Sequence, residues 1–389
     1  MRALLEESFR AAVAAADPRR ILAAHLPQPP RGRTFVAAAG KAAASMAVAV
    51  EENWRTPLEG VAITRYGHGL PTRHIRVIEA GHPVPDEAGH AAAHELLEQV
   101  KRLGEDDLLL ALVSGGGSSL LSLPAPGISM GELKSLTGRL LKSGADIREM
   151  NTVRKHLSAI AGGRLAAACR APVVALIISD VVGDDPTHIA SGPCAADPTT
   201  IDDAKAVLRK YGIDYRGPFS ESPKSVKAAN KVIATAMRSL EAAAEVFQRS
   251  KIRPVILGDT ITGEAREVGR EMAQLARRTD GPAALISGGE CTVTIEGEAG
   301  RGGRCAEFLL SLGIEKPDTW AIAADTDGID GSEDNAGAVW SPEFARRADA
   351  KAFLARHDSY GFFKDVGGLL VTGPTRTNVN DYRAILIAG

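Results

Sequence analysis

A two-domain α/β architecture is predicted by three features of the sequence. Short, continuous apolar runs recur along the 389 residues with helical stretches between them. Runs without polar alternation suit strands covered on both faces, as in a parallel sheet between helical layers. Near the start, residues 36–39 run into Gly40, then Lys41 and an Ala-rich helical stretch, the strand–glycine–helix opening of a doubly wound unit. The length exceeds what one hydrophobic core usually holds. The first domain is therefore expected to be a Rossmann-like three-layer sandwich with a mostly parallel sheet, and the second a smaller α/β domain with a mixed sheet.

In chain order, residues 1–16 place Leu4, Leu5, Phe9 and Val13 at helical spacing around Glu6 and Glu7. That pattern predicts an amphipathic surface helix rather than a signal peptide. Strands are expected at 36–39, 61–64, 75–79, 108–113, 173–178, 254–257, 283–286, 320–324, 369–372 and 384–387, and helices at 86–103, 130–143 and 225–248. The run Cys-Thr-Val-Thr-Ile-Glu at 291–296 alternates and is β-branched, which predicts an antiparallel or edge strand. Residues 211–223 contain Pro and Gly in the manner of a connector. The expected domains are 1–235 and 236–389, with the ligand site in the cleft between them.

Composition narrows the partners. Lys and Arg number 46 against 48 Asp and Glu, so the basic field that holds a nucleic-acid backbone is missing. No apolar run reaches the roughly 18 residues that span a bilayer, and a cytoplasmic location without membrane contact is expected. Cys169, Cys194, Cys291 and Cys305 form no CxxC pair and are expected to be reduced thiols. Homodimerisation is left open.

The chemistry-bearing segments are glycine-dense loops that follow apolar runs: Ser114-Gly115-Gly116-Gly117-Ser118, Ser179 to Pro186 with Asp180 and Asp184, and Ser287-Gly288-Gly289-Glu290. Clustered backbone N–H groups in such loops bind anions, phosphate above all. The first and third repeat one pattern in different halves, as two walls of one site would. Two familiar cradles fail on spacing. A Walker A loop needs glycine where Phe35 stands, and Ser or Thr where Ala42 follows Gly40-Lys41. The dinucleotide fingerprint breaks at Leu120, which occupies its third glycine position. The acidic loop 325–334 has Asp330 at the sixth position of a calcium loop, where glycine is needed, so it is no EF-hand.

The motifs at 80–86, 112–121, 151–158, 179–193 and 373–381, in this order, resemble the glycerate 2-kinase family over nearly the whole chain. The resemblance extends to that family's C-terminal MOFRL module, with Ser287 to Glu290, Gly300 to Arg304 and Asp325 to Gly328. It implies ATP-dependent phosphorylation of D-glycerate at the 2-hydroxyl, with ATP and Mg2+ as cofactors. It also implies that Lys41 and Arg304 are the principal cations of the site. Such cations suit phosphoryl transfer, which asks a protein chiefly to align two oxygens and neutralise charge. Candidate carboxylates, each just after an apolar run, are Asp180, Asp184, Glu290, Asp325 and Asp327, with Asp180 first as a catalytic group. Asn378 is a candidate for positioning a loop at the site.

Two departures from the family pattern bear on substrate choice. Cys305 and Ala306 stand where an Asn-Gln pair usually precedes Glu307, and Arg376 stands where the Gly-Pro-Thr motif usually continues with glycine. Three readings stay open: a kinase of D-glycerate or a related short hydroxy acid, a hydroxypyruvate reductase as some family members are labelled, and a nucleotide-binding protein with reduced turnover.

Overall fold

The computed structural model describes residues 1–295, 297–347 and 349–389. These divide into two compact units, Pro18–Ile233, and Met1–Asp17 together with Ala234–Gly389.

The unit Pro18–Ile233 is built on a six-stranded sheet of β1 (Thr34–Ala39), β2 (Leu58–Arg65), β3 (Ile75–Ala80), β4 (Leu108–Val113), β5 (Val173–Ile178) and β6 (Ala228–Ala234), in the order β3-β2-β1-β4-β5-β6. The pairs β2–β3, β1–β2, β1–β4 and β4–β5 are parallel. All six residues of β1 and of β4 are buried, which explains the apolar runs 35–39 and 108–113. The helix Glu87–Lys101 packs Leu96, Leu97 and Val100 against Ile63, Leu109 and Ala111 of the sheet. Asp86 starts that helix by accepting the Gly89 N–H at 3.0 Å. A separate apolar cluster joins Met130–Lys142, Ile147–His156 and Ile201–Lys210 through Leu133, Leu136, Leu140, Val153 and Leu208.

The other unit carries a mixed sheet of β7 (Arg253–Gly258), β9 (Ala283–Ser287), β11 (Trp320–Asp325), β12 (Gly337–Trp340), β13 (Leu369–Leu370) and β14 (Asp381–Ile387), ordered β13-β12-β11-β14-β9-β7. Only β7–β9 is parallel among its pairs. A two-residue parallel ladder joins β8 (Gly263–Glu264) to β10 (Cys291–Thr292). One face of the sheet is covered by Ala265–Arg277 and Arg304–Glu315, the other by Ala236–Arg249 and the N-terminal helix Arg2–Ala15.

Four expectations are corrected. The N-terminal helix belongs to the second unit, not to a first domain of residues 1–235. Its stripe of Leu5, Phe9 and Ala12 fills the gap over Leu240, Ala243 and Phe247, and the Tyr382 hydroxyl donates to Ser8 Oγ at 2.7 Å. The expected helix 225–248 is the strand β6 followed by Ala236–Arg249. Thr235 divides them, because its hydroxyl accepts the Arg238 N–H and so sets the helix start. The alternating burial of β6 is that of an edge strand, and Lys231 within it and Lys227 just before it are spaced as on a helix face. The expected strand 291–296 shortens to Cys291–Thr292, and Glu296 lies outside the described residues. Lys41 does not open the first helix. It sits in a turn ahead of the N-cap Ala42, and the helix runs Ala43–Asn53. The short β12 was not anticipated at all.

Candidate functional site

In the sheet of Pro18–Ile233 the chain runs outward from β1 to β3 and then returns to the other side of β1 as β4. The carboxyl ends of β1 and β4 therefore flank the point where strand order reverses, the place where open α/β sheets leave a crevice for ligands. The loops leaving these two strands are bonded to each other. Ser114 N–H donates to Ala39 O at 3.0 Å, Lys41 N–H to Gly115 O at 2.8 Å, and Ala42 N–H to Ser114 Oγ at 3.1 Å. The structure thus brings Lys41 and Ser114 to Ser118 together.

The glycine loop closes on itself through the Gly117 N–H to Ser114 O and the Ser119 N–H to Gly116 O. Among the described residues these bonds leave the N–H groups of Gly115, Gly116 and Ser118 unused by the turn, in line with an anion cradle. Gly116 is required there. Its φ is +79°, and a Cβ on it would lie 2.9 Å from His82 Nε2 and 3.2 Å from Lys41 Cγ. The contact also places His82 against the loop. Asp180 is half-buried two residues beyond β5, the neighbour of β4, and so stands on the same edge of the sheet. Asp184 follows in a turn closed by its N–H to Val181 O, with φ +54°.

In the other unit two of the remaining candidates, Glu290 and Asp325, meet at Arg304, the first residue of its helix. β9 and β11 both run antiparallel to β14, so the ends of β9 and β11 and the start of β14 share one edge. Arg304 Nε donates to Asp381 at 2.8 Å, Nη2 donates to Asp325 at 2.7 Å, and Nη1 lies 3.2 Å from Glu290. Burial alone would favour a neutral guanidine, but Asp381, Asp325 and Glu290 outweigh it and hold the guanidinium charged. Asp381 is buried too, yet Arg304 and Arg383, the latter at 2.8 Å, pull its carboxyl below the ordinary value.

Ser287 ends β9, and Gly288 and Gly289 lead from it to Glu290. Gly289 has φ +109° and approaches so closely that a Cβ would stand 2.2 Å from Ile261 O. Its carbonyl accepts the Asp381 N–H at 3.1 Å, tying this loop to the start of β14. Asp325 and Asp327 are buried rather than in a solvated turn, at 2% and 1% exposure, and Asp327 accepts the Ile329 N–H at 2.9 Å. Asn378 is buried, and its Oδ1 accepts the Asn380 N–H at 3.3 Å, a bond that shapes its own loop. Asp381 ends the motif 373–381 but nothing local marks it as an Arg304 partner; β-pairing opposite Asp325 is what makes it one.

The departures have a local explanation. Cys305 and Ala306 are fully buried in the core of their unit, so their side chains replace polar amides with apolar packing. The helix start is served instead by Asp330, whose two oxygens accept the Cys305 and Ala306 N–H groups at 2.9 and 2.8 Å. Arg376 has φ +60°, the region where glycine is at ease and other residues are strained. Arg376→Gly is accordingly expected to raise stability by about 0.5–1 kcal/mol, read as a higher urea midpoint at unchanged slope.

A family model described as a domain of unknown function, DUF4147, matches residues 4–231, and the MOFRL family model matches 283–381. A protein from Agrobacterium vitis provisionally named a hydroxypyruvate reductase is 50% identical, over 99% of this chain and 94% of its own. The glycerate 2-kinase of Pyrococcus horikoshii is 43% identical over 90% of this chain and 86% of its own. The crystal structure of glycerate kinase from Thermotoga maritima superposes with a TM-score of 0.90 at 38% identity, covering 100% of this chain and 99% of that one.

Proposed function

The chain belongs to the glycerate 2-kinase family, and from that membership we propose that it transfers the γ-phosphoryl group of ATP to the 2-hydroxyl of D-glycerate, giving 2-phosphoglycerate and ADP. The observation that carries the reading is the joining of Lys41 to the Ser114–Ser118 loop at the strand-order reversal of a doubly wound sheet. There the loop's N–H groups and the lysine would take up phosphate charge. The family likeness would give Arg304, which Asp325 and Asp381 hold in aim within its own unit, the role of stabilising charge that develops in the reaction. Asp180 would accept the proton of the 2-hydroxyl as its oxygen forms the bond to phosphorus and the bond to the ADP oxygen breaks.

Magnesium characteristically takes one or two carboxylates plus phosphate oxygens and water. Among the described residues no three His, Cys, Asp or Glu gather as a metal cage. Asp180 and Asp184, in the loop that follows β5 beside β4, would be the carboxylates to hold the ion. The ion would neutralise charge on the phosphate oxygens. No helix among the described residues is long and apolar enough to cross a membrane.

The reductase name borne by a close relative meets an obstacle in this sequence, since Leu120 interrupts the dinucleotide fingerprint. A coupled assay of ADP release over a panel of short hydroxy acids, with phosphorus NMR on the product, decides the matter. D-Glycerate should give the strongest signal and a 2-phosphate product. A flat response across the panel overturns the kinase reading, and oxidation of NAD(P)H by hydroxypyruvate would establish the reductase in its place.

A further inference from the structure

The helix Ile147–His156 offers two adjacent cations with opposite circumstances. Lys155 is fully buried and donates to Asp197 at 3.2 Å, and Asp197 also accepts from Ser222 at 2.7 Å, a closed ion pair within the core. Arg154 is half-buried and, among the described residues, its side chain makes no hydrogen bond or ion pair. Burial pulls its pKa down and no carboxylate opposes that pull. A desolvated guanidinium without a counter-ion is costly, so such a group normally has an anion to meet.

The surroundings of that helix say which site the anion occupies. Asn151, one turn before Arg154 on the same face, donates to His188 O at 3.2 Å and accepts from Ser191 Oγ at 3.1 Å. Ser191 Oγ in turn lies 2.8 Å from Ser118 Oγ, the last residue of the glycine loop. The turn between them is strained, with Ala190 at φ +50° and Ser191 at φ +57°, and Ala190 Cβ would meet a Cβ on Gly117 at 2.5 Å. Strain of this kind persists where the surroundings over-determine a functional geometry. In the same segment Thr187 Oγ1 and His188 Nδ1 are buried with no partner among the described residues, leaving hydrogen-bonding capacity beside the loop.

We infer that Arg154 is the receptor for the carboxylate of the hydroxy-acid substrate, held beside the phosphate loop by the Asn151–Ser191–Ser118 chain of hydrogen bonds. The inference rests on the kinase reading above. The loop N–H groups and Lys41 already supply donors for nucleotide phosphate, whereas the planar fork of an arginine matches a carboxylate in bidentate fashion. Asn151 and Ser191 are positioning residues in this arrangement, since they act through the turn rather than on substrate.

The test is the split of kinetic constants in Arg154→Gln and Arg154→Lys, measured on the whole chain. The KM for D-glycerate should rise about 100-fold in Arg154→Gln and less in Arg154→Lys, with the KM for ATP within about twofold of wild type. KM does not depend on how much of a preparation is folded. Where turnover falls below detection, melting temperature replaces it: D-glycerate should no longer shift the variant's melting point while ATP still does. An unchanged KM for D-glycerate, or a rise confined to ATP, overturns the inference and leaves the kinase reading standing. A wild-type chain that releases no ADP with any hydroxy acid overturns the kinase reading and the inference with it.

Discussion

Arg304→Ala should lower kcat by on the order of 10³ or more, the range found when a charge-stabilising arginine is removed from a phosphoryl-transfer site. The expectation follows from how this side chain is held. Its fork is fixed on two sides by Asp381 and Asp325 at 2.8 and 2.7 Å, and Glu290, at 54% side-chain exposure, approaches the third nitrogen. A guanidinium gripped in this way needs little reorganisation when charge develops nearby. Three carboxylates around one arginine also mean that its loss destabilises the fold. Asp381 keeps Arg383 as a partner and Asp325 keeps the Asp327 N–H, but both buried carboxylates lose the guanidinium. Breaking a buried pair in this way costs about 3–5 kcal/mol. Arg304→Lys separates the two effects. It keeps a positive charge among the carboxylates and should melt near the wild-type temperature, yet without the fork it should still lose most of the turnover. If Arg304→Lys turns over at the wild-type rate, or Arg304→Ala does so in its folded fraction, Arg304 is a structural ion-pair partner and no more. Single-turnover rates on protein checked by circular dichroism provide the reading.

Much of this fold was legible because β1, β4 and β5 of the first sheet are buried on both faces, and their sequences have to be largely apolar. β4 and β5 were placed to the residue for that reason. Where burial alternates, legibility fails. β6 exposes every second residue in its first half and reads as easily as a helix face, and β12 is four residues of small and apolar type with no flanking signal. The site divides in the same way. Glycine loops announce themselves because backbone geometry demands particular residues, as at Gly116 and Gly289. The partners of Arg304 do not, because Asp381 and Asp325 meet only through the register of β14 on β11, a long-range pairing that no local pattern encodes. Asn151 likewise gains its meaning from meeting Ser191 across 40 positions of sequence, and Ser191 from meeting Ser118 across 73, which only the folded chain supplies.

Asp330 should make the stability of the second unit fall as pH rises from about 4 to about 8. It is fully buried, and burial pushes its carboxyl up to about 7, a shift assisted by the negative charge of Asp381 and resisted by the Cys305 and Ala306 N–H groups and by Arg304. The ordinary value, 3.8, applies to the unfolded chain. Between the two values the folded state binds more protons than the unfolded state, and stability must decline with pH. The contribution is fully present below the unfolded pKa and is lost as pH passes through about 7. Asp330→Asn removes the titration while keeping an oxygen for one of the two N–H groups. Its melting temperature should vary less between pH 5 and pH 8 than that of the wild type. Asp330→Ala goes further, leaving two buried N–H donors of the helix start unmatched, which costs roughly 2–5 kcal/mol and should appear as a large loss of melting temperature at every pH. A wild-type melting temperature that rises between pH 5 and pH 8, together with an Asp330→Asn curve of the same slope, would mean that Asp330 is ionised throughout and acts as a permanent anionic cap. The helix that presents Arg304 would then be anchored by charge rather than by a neutral carboxyl group, and its hold on Arg304 would persist at alkaline pH.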